Sequence, residues 1–102
     1  MILILPTARF TNFNPEQSII AYSSGIVSCS AEGTPTPQID WKRQDETPLD
    51  KGRFSQLSNG SLYINLVKPK DNGTYICIFR QTKGDKRVTT NEQTISVFVI
   101  SE

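Results

Sequence analysis

Short runs of alternating apolar and polar residues follow one another along most of the chain. Successive side chains of a β-strand point to opposite faces, so a period of two is typical of strands with one buried face. No segment of more than ten residues places apolar side chains at helical spacing. The pattern therefore predicts an all-β fold, with a first strand, a loop at 11–15, and further strands at 18–22, 25–31, 38–43, 53–57, 61–66, 73–80 and 87–100.

The alternation also predicts which side chains meet between two sheets. Clusters of Gly, Pro, Asn and Asp separate the strands and supply the backbone conformations of turns. Strands at this spacing favour a β-sandwich, in which the inward residues form a core. The predicted core consists of Val27, Cys29, Ala31, Ile39, Trp41, Leu62, Ile64, Leu66, Tyr75, Cys77, Phe79, Ile95, Val97 and Val99.

The chain has 102 residues and two cysteines, Cys29 and Cys77. This length suits a single domain, predicted here over residues 1–102, whose small core gains from a covalent cross-link. One intramolecular bridge would leave no free thiol. Closing the 48-residue separation would stabilise the fold by about 4 kcal/mol. Such a bridge persists only in an oxidising compartment.

The charges and the residue types present restrict the function. Eleven basic and ten acidic residues give a net charge of +1, so the overall field favours neither nucleic acid nor an anionic membrane as a partner. Histidine is absent, which excludes Ser-His-Asp and Cys-His catalytic arrangements and histidine-containing metal sites. No cofactor is implied, and the sequence predicts a binding domain and not an enzyme. The acidic residues Asp45, Glu46 and Asp50 are interpreted as solvated loop charges.

The apolar segment from Met1 to Leu5 is too short for a signal-peptide core or a membrane span, and Pro6 interrupts it. It is interpreted as the boundary of the domain together with the first strand. A secreted domain of this kind is expected to belong to a longer, multidomain parent that supplies the signal peptide and the membrane anchor.

Cys29, Trp41 and the segment from Asp71 to Cys77, which reads DNGTYIC, resemble the immunoglobulin superfamily. The resemblance covers nearly the whole chain. It implies a Greek-key β-sandwich of two antiparallel sheets, joined by an inter-sheet disulfide between Cys29 and Cys77 and packed around Trp41.

The resemblance also implies structural roles for three polar side chains. The hydroxyl of Tyr75 is expected to bond to the backbone near Asp71, as in a tyrosine corner. Arg53 and Asp71 match the salt bridge that closes the lower end of such sandwiches.

The spacing of the motifs is similar to the intermediate (I-set) class of immunoglobulin domains. Residues 33–41 resemble the turn between strands B and C of that class, and the interval between the cysteines leaves no room for a C″ strand. In that class the strands predicted at 38–43, 73–80 and 87–100 correspond to strands C, F and G, which form the GFC sheet. Ile95 follows Cys77 at a greater distance than in many I-set domains, which predicts a long F–G hairpin with its tip at 82–87. A similar hairpin in the off-track group of receptor pseudokinases suggests a parent of that type.

Outward apolar residues on strands F and G suggest a binding surface. Because Tyr75 and Cys77 point inward, the alternation directs Ile76, Ile78 and Phe98 outward on the GFC sheet. Contiguous exposed apolar groups often mark a protein partner site, homophilic or heterophilic, although scattered surface apolar residues are common.

Basic residues of the predicted hairpin and of strand C suggest a second surface. Together they are expected to form an anion-binding patch for a sulfated glycosaminoglycan or an acidic partner loop. The alternative is that the basic residues prevent association between sheet edges. The residues concerned are Lys42, Arg43, Arg80, Lys83, Lys86 and Arg87.

Asn59 and Asn72 each begin an N-glycosylation acceptor sequence. Used sites would support a secreted protein. The alternative is turn chemistry, because an Asn-Gly pair supplies the positive φ of a tight reversal without any sugar.

These features predict an extracellular recognition domain of a cell-surface adhesion molecule or receptor, binding protein through the GFC sheet and the F–G hairpin. One alternative is a structural I-set domain of an intracellular muscle or cytoskeletal protein, where thiols stay reduced. Another is a glycosaminoglycan-binding domain.

Overall fold

A computed structural model describes residues 8–84 and 86–101, without the side chain of Phe13. The strand predicted within Met1 to Leu5 lies outside these residues. The elements of the described residues are β1 (Arg9–Phe13), β2 (Glu16–Ile20), β3 (Gly25–Val27), β4 (Cys29–Glu32), β5 (Gln38–Arg43), β6 (Phe54–Gln56), β7 (Leu62–Ile64), a 3-10 helix (Pro69–Asp71), β8 (Gly73–Thr82) and β9 (Val88–Ile100).

The strands form two layers. One layer is a four-stranded sheet in the order β2-β9-β8-β5, in which β2 runs parallel to β9 and the other pairs are antiparallel. The other layer contains β3, β7 and β6 in one sheet and the antiparallel pair β1 and β4. A disulfide between Cys29 of β4 and Cys77 of β8 joins the layers. The predicted all-β sandwich and its cross-link are therefore confirmed.

The core contains most of the residues that the alternation predicted, but the prediction that Leu66 lies in the core is wrong. β7 ends at Ile64, and Leu66 has a φ of 71°, so the strand alternation does not continue through it. As a result Leu66 is 45% exposed, and the following residue, Val67, is fully buried in its place. Ala31, Trp41 and Val99 are partly buried and pack against the buried cluster.

Several predicted strand boundaries move by one or two residues in the structure, and two differences add or divide a strand. The loop expected at 11–15 contains the second half of β1, which pairs with β4. The strand expected at 25–31 is interrupted at Ser28, where the chain passes from β3 to β4. There the side chain of Gln17 accepts a hydrogen bond from the backbone N–H of Ser28 and donates one to its carbonyl, which satisfies both backbone groups.

The F–G hairpin is as long as the sequence predicted. β8 and β9 pair continuously from Gly73 opposite Val97 to Thr82 opposite Val88. Between the paired ends, the backbone N–H of Lys83 donates to the carbonyl of Arg87 at 2.9 Å. The hairpin therefore extends the four-stranded sheet beyond the end of β5, whose last partner in that direction is Arg80.

Gly60 explains how Trp41 is held against the opposite layer. Gly60 has a φ of 96°, and a Cβ there would lie 2.7 Å from the side chain of Ile39. Only glycine meets both conditions without strain. The carbonyl of Gly60 accepts a hydrogen bond from the indole Nε1 of Trp41 at 2.7 Å.

Candidate partner-binding site

Arg53, Asp71 and Tyr75 form a polar cluster at the lower end of the sandwich, beside the 3-10 helix. Arg53 donates two hydrogen bonds to the Asp71 carboxylate, with Nη1 to Oδ2 at 2.7 Å and Nη2 to Oδ1 at 2.9 Å. The Tyr75 hydroxyl donates to the backbone carbonyl of Asp71 at 2.7 Å. Asp71 is only 1% exposed. The structure thus brings together the three residues for which the resemblance implied these contacts.

The pKa of the Asp71 carboxyl reflects opposing effects. Burial raises this pKa, but hydrogen bonds from Arg53 and from the N–H of Lys68, together with the positive charges of Arg53 and Arg43, outweigh burial and lower it below its ordinary value. The carboxylate is therefore ionised and structural.

Tyr75→Phe tests the tyrosine corner. Removing the donor leaves the Asp71 carbonyl without its partner, so we expect the free energy of unfolding to fall by about 1 kcal/mol at neutral pH. Burial raises the pKa of Tyr75 to about 12. The contribution of the hydroxyl is therefore complete below the unfolded-state pKa of about 10 and is lost as the pH rises through the folded-state value. Urea denaturation at neutral pH and near pH 11 should show the difference from wild type shrinking.

Tyr22→Phe is the control for that measurement, because Tyr22 is 70% exposed. We expect it to match wild type at neutral pH. A Tyr75→Phe protein as stable as wild type at neutral pH would contradict the role of the hydroxyl.

The outer face of the four-stranded sheet carries Ile76 and Ile78 at its centre. Both lie on β8, between the edge strand β5 and the strand β9, and both are half-buried. Their neighbours across the ladder differ. Ile76 lies between Lys42 and Thr94, whereas Ile78 lies between Asp40 and Glu92. The exposed edges of the two isoleucines thus form a small apolar surface with charged residues beside it.

Four charged residues surround this surface, and sequence analysis singled out only the two basic ones. Asp40 and Glu92 flank Ile78, Lys42 flanks Ile76, and Arg80 follows Ile78 on the same face of β8. All four are exposed, and none takes part in an ion pair among the described residues. The cross-strand register is the signal that identifies the two acidic residues.

Phe98 does not belong to this surface. It is exposed, as the alternation predicted, but it lies six residues beyond Glu92 on β9. At about 3.3 Å per residue this separates it from Ile78 by roughly 20 Å along the strand. Its neighbour on the parallel strand β2 is Ser18. The predicted contiguous row of Ile76, Ile78 and Phe98 is therefore wrong, because the length of the hairpin sets the register.

The predicted patch of six cations is also not formed. Arg43 turns toward the lower end, where its guanidinium donates to the carbonyls of Lys70 and Asn72 and lies 5.0 Å from the centre of the Tyr75 ring. Lys42 faces Ile76, about 13 Å along the sheet from Arg80. Lys83, Lys86 and Arg87 lie at the hairpin tip. Arg43 packs here as a structural residue because free carbonyls and an aromatic ring are within its reach.

Both acceptor asparagines are exposed and bond to nearby backbone. Asn59 accepts from the N–H of Ser61 at 2.9 Å, which is the turn chemistry expected of an Asn-Gly pair. Asn72 accepts from the N–H of Val99 on β9 at 3.0 Å. In both cases Oδ1 is the engaged atom.

The described surface also includes an open groove of about 620 Å³ between β5 and β6. Trp41, Leu49, Phe54 and Leu62 supply much of its apolar lining. Among the described residues, no group of three His, Cys, Asp or Glu side chains is placed to hold a metal ion. The described chain also contains no helix long and apolar enough to cross a membrane.

The disulfide between two packed sheets, with Trp41 beside it, defines an immunoglobulin-type sandwich. The immunoglobulin domain family matches residues 9–80, and the chain belongs to that family. It is 39% identical over 82 residues to Protein sax-3 of Caenorhabditis elegans, a match that covers 78% of this chain and 6% of that protein. It is 36% identical over 78 residues to Tyrosine-protein kinase-like otk of Drosophila willistoni, covering 72% of this chain and 7% of that protein.

Solved structures show the same fold. The neural ectodermal development factor IMP-L2 superposes with a TM-score of 0.80 at 20% identity, covering 99% of this chain and 47% of that chain. The titin M10 and obscurin-like 1 complex gives a TM-score of 0.73 at 20% identity, covering 96% and 97%. The chain spans between 2% and 7% of the curated relatives. It resembles the extracellular domains of adhesion and receptor proteins, and its likeness to otk fits the expected type of parent.

Proposed function

We propose that this domain is a non-catalytic extracellular recognition module that binds a protein partner through the outer face of the four-stranded sheet. The observation that carries the proposal is the pair Ile76 and Ile78, half-buried at the centre of the face and bordered by charges without partners in the described chain. An apolar centre with a polar rim is the usual arrangement of a protein interface. The hairpin formed by β8 and β9 continues this face and supplies further contacts.

The size of the apolar centre sets the expected strength of binding. Covering the exposed parts of two isoleucines contributes a few kcal/mol at roughly 25 cal/mol per Å². Binding also costs rigid-body freedom and side-chain ordering. The apolar centre alone is therefore too small for tight binding, so a weak contact is expected, to which the hairpin adds and which avidity strengthens on a cell surface.

The disulfide supports an extracellular placement over the muscle-type alternative, because cytosolic thiols stay reduced. The likeness to titin concerns the fold alone. Lys42 and Arg43 lie apart from the four basic residues of the hairpin, which argues against a six-residue glycosaminoglycan site on this face.

Ile78→Asp is expected to abolish binding without unfolding the domain. The change places a charge between Asp40 and Glu92, where like charges and the loss of apolar surface both oppose an interface. Sedimentation equilibrium of the unglycosylated domain measures self-association. Adhesion of domain-coated beads to cultured cells measures binding to another protein. In the Ile78→Asp variant, sedimentation should show only monomer, and bead adhesion should fall to the level of uncoated beads.

Phe98→Asp is the matched control. It introduces the same charge on the same sheet, but about 20 Å from Ile78. It should preserve the binding that Ile78→Asp removes, and both variants should remain folded at the temperature of the assay. Binding that survives Ile78→Asp, or that is lost equally in the control, would contradict the assignment of this face.

A further inference from the structure

Asn72 and Phe98 meet at the lower end of the sandwich, away from the proposed protein-binding face. The Oδ1 of Asn72 accepts a hydrogen bond from the N–H of Val99, so its amide lies against the peptide unit that follows Phe98. Phe98 is 47% exposed, although it belongs to the strand β9. About half of the Phe98 side chain is therefore open to contact, next to an exposed asparagine.

The geometry of the Asn72 amide suits chemical modification. Its oxygen is engaged by β9, whereas its Nδ2 donates no hydrogen bond within the described chain. Asn72, Gly73 and Thr74 form an acceptor sequence for N-glycosylation. Because Nδ2 is the atom that carries an N-linked sugar, the bond to β9 and a glycan are compatible.

We propose that Asn72 is N-glycosylated and that the first sugar of the glycan covers Phe98. In the transfer, Nδ2 bonds to the anomeric carbon of a lipid-diphosphate-linked oligosaccharide. The bond from that carbon to the diphosphate oxygen breaks, and Nδ2 loses one proton. No oxidant or reductant is required.

The chemistry of the sugar explains why Phe98 is its target. An N-acetylglucosamine ring presents axial C–H groups on one face, and such a face packs well on an aromatic ring. The bond to Val99 anchors the amide, so little freedom remains to be lost when the sugar packs. Ser18, on the opposite side of Phe98, is too small to cover the ring itself.

A glycan at the lower end of the sandwich would also limit where a protein partner can bind. A glycan at Asn72 would occupy the Phe98 end of the sheet and leave Ile76 and Ile78 accessible. The inference rests on the extracellular placement in the proposed function, but not on partner binding through Ile78.

The first test is occupancy. The domain is expressed in a secretory eukaryotic host with Asn59→Asp, which removes the other acceptor sequence and keeps an oxygen to accept from Ser61. Intact mass should show one glycan. Thr74→Val should remove it, whereas Thr74→Ser, which keeps an acceptor hydroxyl, should retain it. An unmodified Asn72 overturns the proposal.

The second test is contact between the sugar and Phe98. With the glycan trimmed to one N-acetylglucosamine, Phe98→Ser should lower the melting temperature by about 3 °C more than it does in unglycosylated protein from bacteria. The protons of the sugar should also show upfield ring-current shifts that Phe98→Ser abolishes. Equal melting shifts and unshifted protons overturn the contact. The Ile78→Asp experiment uses unglycosylated protein, so the two proposals fail separately.

Discussion

Replacing Cys29 and Cys77 together with alanine will lower the free energy of unfolding by about 4 kcal/mol. The bridge spans 48 residues, and removing it restores the conformational freedom of that loop in the unfolded chain. Both cysteines are fully buried, so loss of packing adds to the effect. For a domain of this size the loss is comparable with the whole stability.

Guanidinium denaturation of the variant and of wild type, with and without reductant, measures this effect. Wild type in reductant should approach the alanine variant, because both lack the cross-link. Alkylation followed by mass measurement shows which thiols are free. If reduction leaves the denaturation midpoint of wild type unchanged, the bridge does not stabilise the fold as argued.

Asp71→Asn will cost about 3 kcal/mol. The change removes the negative charge and leaves Arg53, whose side chain is 11% exposed, with only the exposed carboxylate of Asp50 as an ionic partner, at 3.5 Å. Leaving one member of a buried pair uncompensated is more costly than losing the pair itself. Arg9→Ala is the matched control, because Arg9 pairs with Glu32 at 2.6 Å on the surface, with the side chains 75% and 56% exposed. That variant should lose less than about 1 kcal/mol.

A double-mutant cycle with Arg53→Met separates the pair from its surroundings. We expect the double variant to recover part of the loss, since no charge is then left unpaired. The pH dependence has a defined sign. Because the folded-state pKa of Asp71 is lowered, its contribution is present above an ordinary aspartate pKa of about 4 and disappears as the pH falls through the lowered value. Additive single substitutions, or a cost that persists at low pH, would contradict the pairing.

Local sequence was enough to predict the all-β fold and the inward direction of most core side chains. A period of two decides which side of a strand a residue occupies, so the inward direction of Cys29, Cys77 and Tyr75 follows from their neighbours in the chain. The turn residues are equally local, because Gly60 is needed where φ is positive. The resemblance to a known family then supplied the disulfide and the residues at the lower end.

The wrong predictions concern residues at which the strand alternation stops, or side chains that contact residues distant in the sequence. Leu66 lies outside the core because its backbone adopts a left-handed conformation. No neighbouring residue in the sequence predicts that conformation. Arg43 lies on the face of β5 that also carries Trp41, opposite to Lys42, so alternation alone separates these two cations. Its bonds to the carbonyls of Lys70 and Asn72 depend on folding, which brings those residues close.

Which residues lie together on the candidate binding face depends on the tertiary structure. The sequence directs Ile78 outward, but the pairing of β8 with β5 and β9 places Asp40 and Glu92 on either side of it. A shift of two residues in either pairing would keep each side chain on its face but give Ile78 other neighbours, and local alternation does not exclude that shift. The same pairing carries Phe98 about 20 Å away, to Asn72, because each residue of β9 adds about 3.3 Å. The face of the sheet on which a side chain lies follows from the local sequence. Its neighbours on adjacent strands depend on the register in which whole strands pair.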